Sequence, residues 1–273
     1  MKTIIKIGVI LSVLFFTLGL GSVIASVALG ATWSQFINAV DQGEFYIPSQ
    51  DIIHRSEKNR QSNAGSDRQY YYDVESLDVE FKRGTLEVVE TDEDEIYVEV
   101  LSDPSQSIQT FMDGGTLKIT TDSQKIRENA RLRICLPEDE YFDEAELDMG
   151  AAAVTVENLD ADELKVKLGA GSLSSTGEIL SEKSEWEIGV GELNLSYLDC
   201  EDTKIDCAMG TVSLALAYSQ DDYDCDITCG AGAVNVGKNS FSMGHHEYSG
   251  DDAESKLQIE CGMGTVDVTF DED

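Results

Sequence analysis

The side chains of this 273-residue sequence best suited to chemistry are six cysteines, Cys135, Cys200, Cys207, Cys225, Cys229 and Cys261, and the run His245-His246-Glu247. Thiolates and imidazoles held close together bind zinc or act as nucleophiles, but the spacing here suits neither task. Cys225 and Cys229 stand four residues apart in an alternating segment, which puts them on one strand face about 13 Å apart, too far to share one ion. Cys207, Cys225, Cys229 and Cys261 fall on the apolar side of their alternation, where a thiol packs as a small hydrophobe. A disulfide among them is the alternative outside a reducing compartment. Adjacent histidines on extended chain point to opposite faces, which fits an exposed loop. They lie in a long interruption, residues 237–256. The group Phe241, Met243, His245, His246 and Tyr248 is the place to expect a specific partner, because protruding loops carry binding.

The acidic runs Asp92-Glu93-Asp94-Glu95 and Asp221-Asp222-Tyr223-Asp224 offer hard oxygen ligands. Neither has the spaced glycine and closing glutamate of a calcium loop. Parallel β-helix enzymes that cleave acidic sugars also need basic residues, and the 19 lysines and arginines here are few and scattered. Gly169-Ala170-Gly171 lacks the third glycine, the following helix and the later acidic residue of a dinucleotide fingerprint. The expectation is a non-catalytic protein with no metal and no cofactor.

What must position these residues is a phrase that keeps returning: an apolar residue, a glycine-centred kink, then two apolar residues spaced by one. It reads Leu168-Gly169-Ala170-Gly171-Ser172-Leu173, Ile188-Gly189-Val190-Gly191-Glu192-Leu193, Cys229-Gly230-Ala231-Gly232-Ala233-Val234 and Cys261-Gly262-Met263-Gly264-Thr265-Val266. Met149-Gly150-Ala151-Ala152-Ala153-Val154 and Cys207-Ala208-Met209-Gly210-Thr211-Val212 keep the frame. The steps between copies are 19, 20, 19, 22 and 32 residues. A period near 20 marks stacked units that cover one another's apolar faces.

Alternation on both sides of the kink makes each unit a strand, a glycine corner, a strand and a polar turn. The reading is an all-β fold, a β-solenoid or β-helix-like repeat of about 20 residues per unit. Its corners are Gly171, Gly191, Gly210, Gly232 and Gly264, and its inner column is Met149, Leu168, Ile188, Cys207, Cys229 and Cys261. An up-and-down meander with the glycines in hairpin loops is the rival geometry. Looser copies at Gly84 and Gly114-Gly115 belong to early units with longer turns, or to a cap.

Lys2 and Lys6 precede an apolar run from Ile7 to about Phe36, long enough for a transmembrane α-helix. The charges place its N-terminus in the cytoplasm and the remainder outside; a cleaved signal peptide is the alternative. The expected organisation is a cytoplasmic N-terminus and membrane helix at 1–36, a polar tether at 37–73 and an extracytoplasmic β-repeat domain at 74–273. A net charge of −34 excludes nucleic acid as a partner.

The run Leu132-Arg133-Ile134-Cys135-Leu136-Pro137, then Val154-Thr155-Val156-Glu157-Asn158-Leu159 leading into Glu163-Leu164-Lys165-Val166-Lys167-Leu168-Gly169-Ala170-Gly171, resembles the adhesin-like bacterial family DUF4097. The resemblance covers roughly residues 74–270 through several copies of the phrase. It implies a β-solenoid-like sheet behind an N-terminal membrane helix, mainly in Gram-positive bacteria, with no catalytic residues to carry over. The expected partners are the lipid bilayer, through the N-terminal helix, and a cell-surface ligand. A membrane protein through which envelope stress is sensed is the alternative partner, and a carbohydrate-active enzyme the more distant alternative.

Overall fold

A computed structural model describes residues 68–122, 124–125, 128–251 and 253–270. The expected membrane helix and residues 37–67 of the tether lie outside these. No helix among the described residues is long and apolar enough to cross a membrane. The strands are β1 (Arg68–Tyr71), β2 (Ser76–Thr91), β3 (Ile96–Ser102), β4 (Ile108–Asp113), β5 (Thr116–Thr121), β6 (Ala130–Pro137) and β7 (Tyr141–Val156). They continue as β8 (Leu159–Ser175), β9 (Glu178–Leu216), β10 (Tyr223–Cys229), β11 (Ala233–Val236), β12 (Asn239–Phe241), β13 (Gly244–Ser249) and β14 (Ser255–Phe270).

The long strands are the expected repeats, and they stack in parallel. Leu147 lies opposite Val166 and Met149 opposite Leu168; Val166 lies opposite Trp186 and Leu168 opposite Ile188. β9 makes two coils without a break, the second lying against the first, with Lys204 bonded to Glu185 across the join. The ladder lapses at Asp162 and again at Gly169. These lapses divide a coil into a first, a middle and a last straight run. Along the middle run Leu164, Val166 and Leu168 turn inward and Lys165 and Lys167 outward, as period two requires. All the inward residues belong to one core, with Trp186 its largest buried side chain.

Chain order and spatial order part company at both ends. At the C-terminal end β14 pairs with β9, Cys261 facing Cys207. Its other edge pairs with β10, Cys229 facing Cys261, and with β11, Val234 facing Val266. The last coil in sequence is therefore last but one in space, and β10 with β11 forms the end coil. The N-terminal end repeats the device: β2 lies between β7 on one side and β5 and β6 on the other. Each end coil is two strands, each flanked by antiparallel neighbours, β4 on β5 and β3 with β1 on β6, β13 on β10 and β12 on β11. The inner column holds the six expected residues, but Cys261 sits between Cys207 and Cys229, because the phrase in β14 fits the gap as well as any other copy.

One stretch differs from the sequence reading. The described strands include Arg68–Tyr71, inside the expected tether, because β1 completes the edge of β3; Arg68 stacks over the Tyr97 ring at 4.6 Å. Strands β3–β6 supply the end coil and its cap, the second of the two alternatives read from the sequence, which explains the longer steps there.

At the corners the glycines are required by crowding. Gly171 has φ +130°, and a Cβ there would strike the Ala152 carbonyl of the neighbouring coil. A side chain is excluded twice, by conformation and by space.

Candidate interaction surfaces

The middle and last runs of a coil present different chemistry to solvent. Along the middle run the outward positions carry Glu144, Glu146 and Asp148 on β7, Glu163, Lys165 and Lys167 on β8, and Lys183, Glu185 and Glu187 on β9. Next come Asp202, Lys204 and Asp206 on β9, Lys256, Gln258 and Glu260 on β14, and Asp224, Asp226 and Thr228 on β10. Sixteen of these eighteen are charged. Their lysines sit among carboxylates, as Lys204 does at 2.7 Å from Glu185 and 2.9 Å from Asp206. Side chains exposed to about a third contribute less than about 1 kcal/mol per pair, so this run is a charged exterior rather than a clamp.

From β7 to β11 the last run is nearly uncharged, whereas on β2 and β6 it carries Glu87, Arg131 and Arg133. Ala153 and Thr155 are followed in register by Ser172 and Ser174, then by Glu192 and Asn194. Thr211 and Ser213 stand opposite Thr265 and Asp267, and these opposite Ala233 and Asn235. Only Glu192 and Asp267 are charged among these twelve, on a chain of net charge −34. Small hydroxyl and amide groups thus repeat at the interstrand spacing of about 4.8 Å. The signal was present in the residues that follow each glycine corner, but it emerges only when the coils are set side by side.

Between the two runs, on the outer side of the corner, lies a groove of about 520 Å³ lined among others by Glu187, Asp206, Cys207, Glu260, Cys261 and Gly262. A second groove of about 380 Å³ runs over the other bend, lined by Asp143, Glu144, Asp162, Glu163, Glu182, Lys183 and Ser76. Its acidity is felt by Tyr141, whose phenol is pushed up to about 12, first by its hydrogen bond to Asp162.

The expected interaction loop forms two of the cap strands. Phe241 and Tyr248 pack against the core while Met243 is 78% exposed. The histidines face opposite ways: His245 lies among Asp226, Thr228 and Glu247, and His246 stacks on Phe241 and donates to the Ser242 carbonyl at 2.8 Å. The five corner glycines line up beneath the two runs and bring no ligand-binding groups together.

All six cysteines are buried and none forms a disulfide. Burial pushes the thiols of Cys135, Cys200 and Cys207 up. Cys225 and Cys261 rise to about 11, by burial first and then by Asp224 for Cys225 and by Cys207 and Cys229 for Cys261. The folded state thus keeps protons that the unfolded chain releases near pH 8.5. Their stabilising contribution is complete below that pH and is lost as pH rises through the folded values. Each thiol costs about 1.4 kcal/mol per pH unit across its window. Urea midpoints should be level to about pH 8 and fall steeply toward pH 11, with a shallower fall in Cys225→Val.

A parallel β stack with capped ends and no α-helix among its described residues defines the class. The particular family follows from the sequence: the chain belongs to the Toastrack DUF4097 family, whose model matches residues 74–251. Among solved structures it is similar to a candidate cell adhesion protein from Clostridium sporogenes, with 13% identity over 76% of this chain and 100% of that one and a TM-score of 0.36. It is also similar to candidate adhesins from Bacteroides fragilis (12%; 77% and 100%; TM-score 0.34) and Parabacteroides distasonis (11%; 75% and 96%; TM-score 0.35). No curated protein matches the chain.

Proposed function

We propose that this chain is a non-catalytic surface-interaction protein, anchored by its N-terminal apolar segment, whose extracytoplasmic β stack makes contact through the last run of its coils. The observation that carries the reading is the segregation of charge in the coils from β7 to β11: sixteen of eighteen positions are charged on one run, two of twelve on the next. Contact through a charged surface is opposed by any anionic cell surface at close range. A flat hydroxyl and amide face lets a neutral polar polymer approach without that repulsion and offers it donors and acceptors at a regular repeat. The descriptions of the Clostridium and Bacteroides proteins as candidate adhesins agree with this reading.

The test uses cells displaying the full chain. Protease added outside should remove the β stack and leave the N-terminal segment in the membrane. Adhesion of these cells to surfaces coated with neutral polysaccharide should fall several-fold in the double variant Ser174→Asp, Ser213→Asp. It should be unchanged in Glu146→Gln, Glu163→Gln, on the charged run. Equal effects from both doubles, or none from either, would overturn the assignment of the face. Protection from protease on intact cells would overturn the topology. Loss of activity on exchanging only the N-terminal segment would favour a relay through a membrane protein instead.

A further inference from the structure

Three of the six buried thiols meet at one level of the core. Cys207 lies opposite Cys261, and Cys261 lies opposite Cys229. They form a column across three coils, each 3% exposed or less, with Cys261 in the middle. Opposed residues of adjacent parallel strands have Cα atoms about 4.8 Å apart, within the roughly 4.4–6.8 Å across which a disulfide closes without moving the backbone. Cys207 and Cys229 are two strands apart, about 9.6 Å, and so beyond that reach. Cys225 stands at another level, opposite Leu257. Cys200 turns its thiol to the backbone carbonyls of Glu182 and Asp202. Of its two neighbouring coils, the Cys261 thiol leans toward that of Cys229: a Cβ added at Gly232, in the same end coil, would come within 2.9 Å of the Cys261 Sγ. The corner groove reaches this level, since Cys207, Cys261, Gly230 and Gly262 are among its lining residues, and the two glycines put no side chain over it.

We propose that Cys229 and Cys261 are a disulfide site, closed by exchange with a small-molecule disulfide, which staples the end coil to β14. The exchange has two steps. The thiolate of one cysteine attacks a sulfur of glutathione disulfide, forming a mixed disulfide and releasing one glutathione thiolate. The thiolate of the second cysteine then attacks the protein sulfur of that bond and releases the other. The protein loses two electrons and two protons, and both end on the two glutathione thiols. The staple spans the excursion through β11, β12 and β13, so it holds the end coil against the one strand that chain order does not place beside it. Cys207 is left as the odd thiol, and Cys261 can bond only one neighbour at a time.

The test incubates the full chain, natively folded, with glutathione disulfide, then blocks remaining thiols in denaturant with N-ethylmaleimide. Cleavage before aspartates places Cys207, Cys225, Cys229 and Cys261 on four separate peptides for mass spectrometry. The expected result is a Cys229–Cys261 linked pair with Cys207 alkylated. Cys229→Ser should transfer the link to Cys207–Cys261, and Cys261→Ser should leave no link between Cys207 and Cys229. The wild-type map stands by itself should either variant fail to fold. A Cys207–Cys229 link in Cys261→Ser, a wild-type link made mainly through Cys135, Cys200 or Cys225, or glutathione adducts without any internal link would each overturn the proposal.

Discussion

Deleting residues 255–270 should unfold more of the chain than it removes. β14 buries Leu257, Ile259, Cys261, Val266, Val268 and Phe270. At about 1.5–3 kcal/mol for each large apolar side chain, this is roughly 10 kcal/mol, comparable with the whole stability of a domain. The loss is worse than the sum, because β10 and β11 pair with β14 and not with β9. Without β14 the end coil has no neighbour to stack on. Hydrogen exchange should show protection lost through residues 223–249 and weakened in the second coil of β9, while β7 and β8 keep theirs, as expected where each unit contacts only its neighbours. Retained protection at Cys225 and Ile227 in the deletion variant would mean that the end coil rests on β9 directly, and would refute the spatial order described above.

The second large effect is expected at a single atom. Gly171→Ala adds one methyl group at φ +130°, aimed at the Ala152 carbonyl. Conformational strain and overpacking together should cost about 3–5 kcal/mol. Ser172→Ala, one residue on and exposed, should stay within about 0.5 kcal/mol. Urea unfolding of the pair decides the matter: if Gly171→Ala is as mild as its neighbour, the corner is not closely packed against the next coil, and the glycines have another purpose.

Much of the fold was legible because the phrase states its own geometry. The apolar residue before each corner and the two after it identify the inward positions, and Met149, Leu168, Ile188, Cys207, Cys229 and Cys261 do share one column. Adjacency was not legible. Cys229-Gly230-Ala231-Gly232 and Cys261-Gly262-Met263-Gly264 are equivalent copies, so local pattern says that both stack without saying which is next to β9. That choice is made by the connections, through the cap strands that follow β11. The individual cap strands were hidden because segments such as Arg68–Tyr71 and Gly244–Ser249 lie at an edge of the described sheet, where alternation is weak. The contrast between charged and neutral runs was hidden for a different reason: it is a property of columns across coils, and a column is read only after register is known.

The inward tucking of β2 and β14 also bears on how such a protein changes length over generations. In a solenoid whose chain ends are its spatial ends, a repeat can be gained or lost at either terminus. Here the outermost layers are drawn from within the chain, and each is closed by its own antiparallel cover. A duplicated unit added beyond Phe270 would find no open edge. New layers fit only where consecutive coils follow one another in both sequence and space, between β7 and the second half of β9. Length variants of this architecture should therefore differ in the number of those central coils and share both covers.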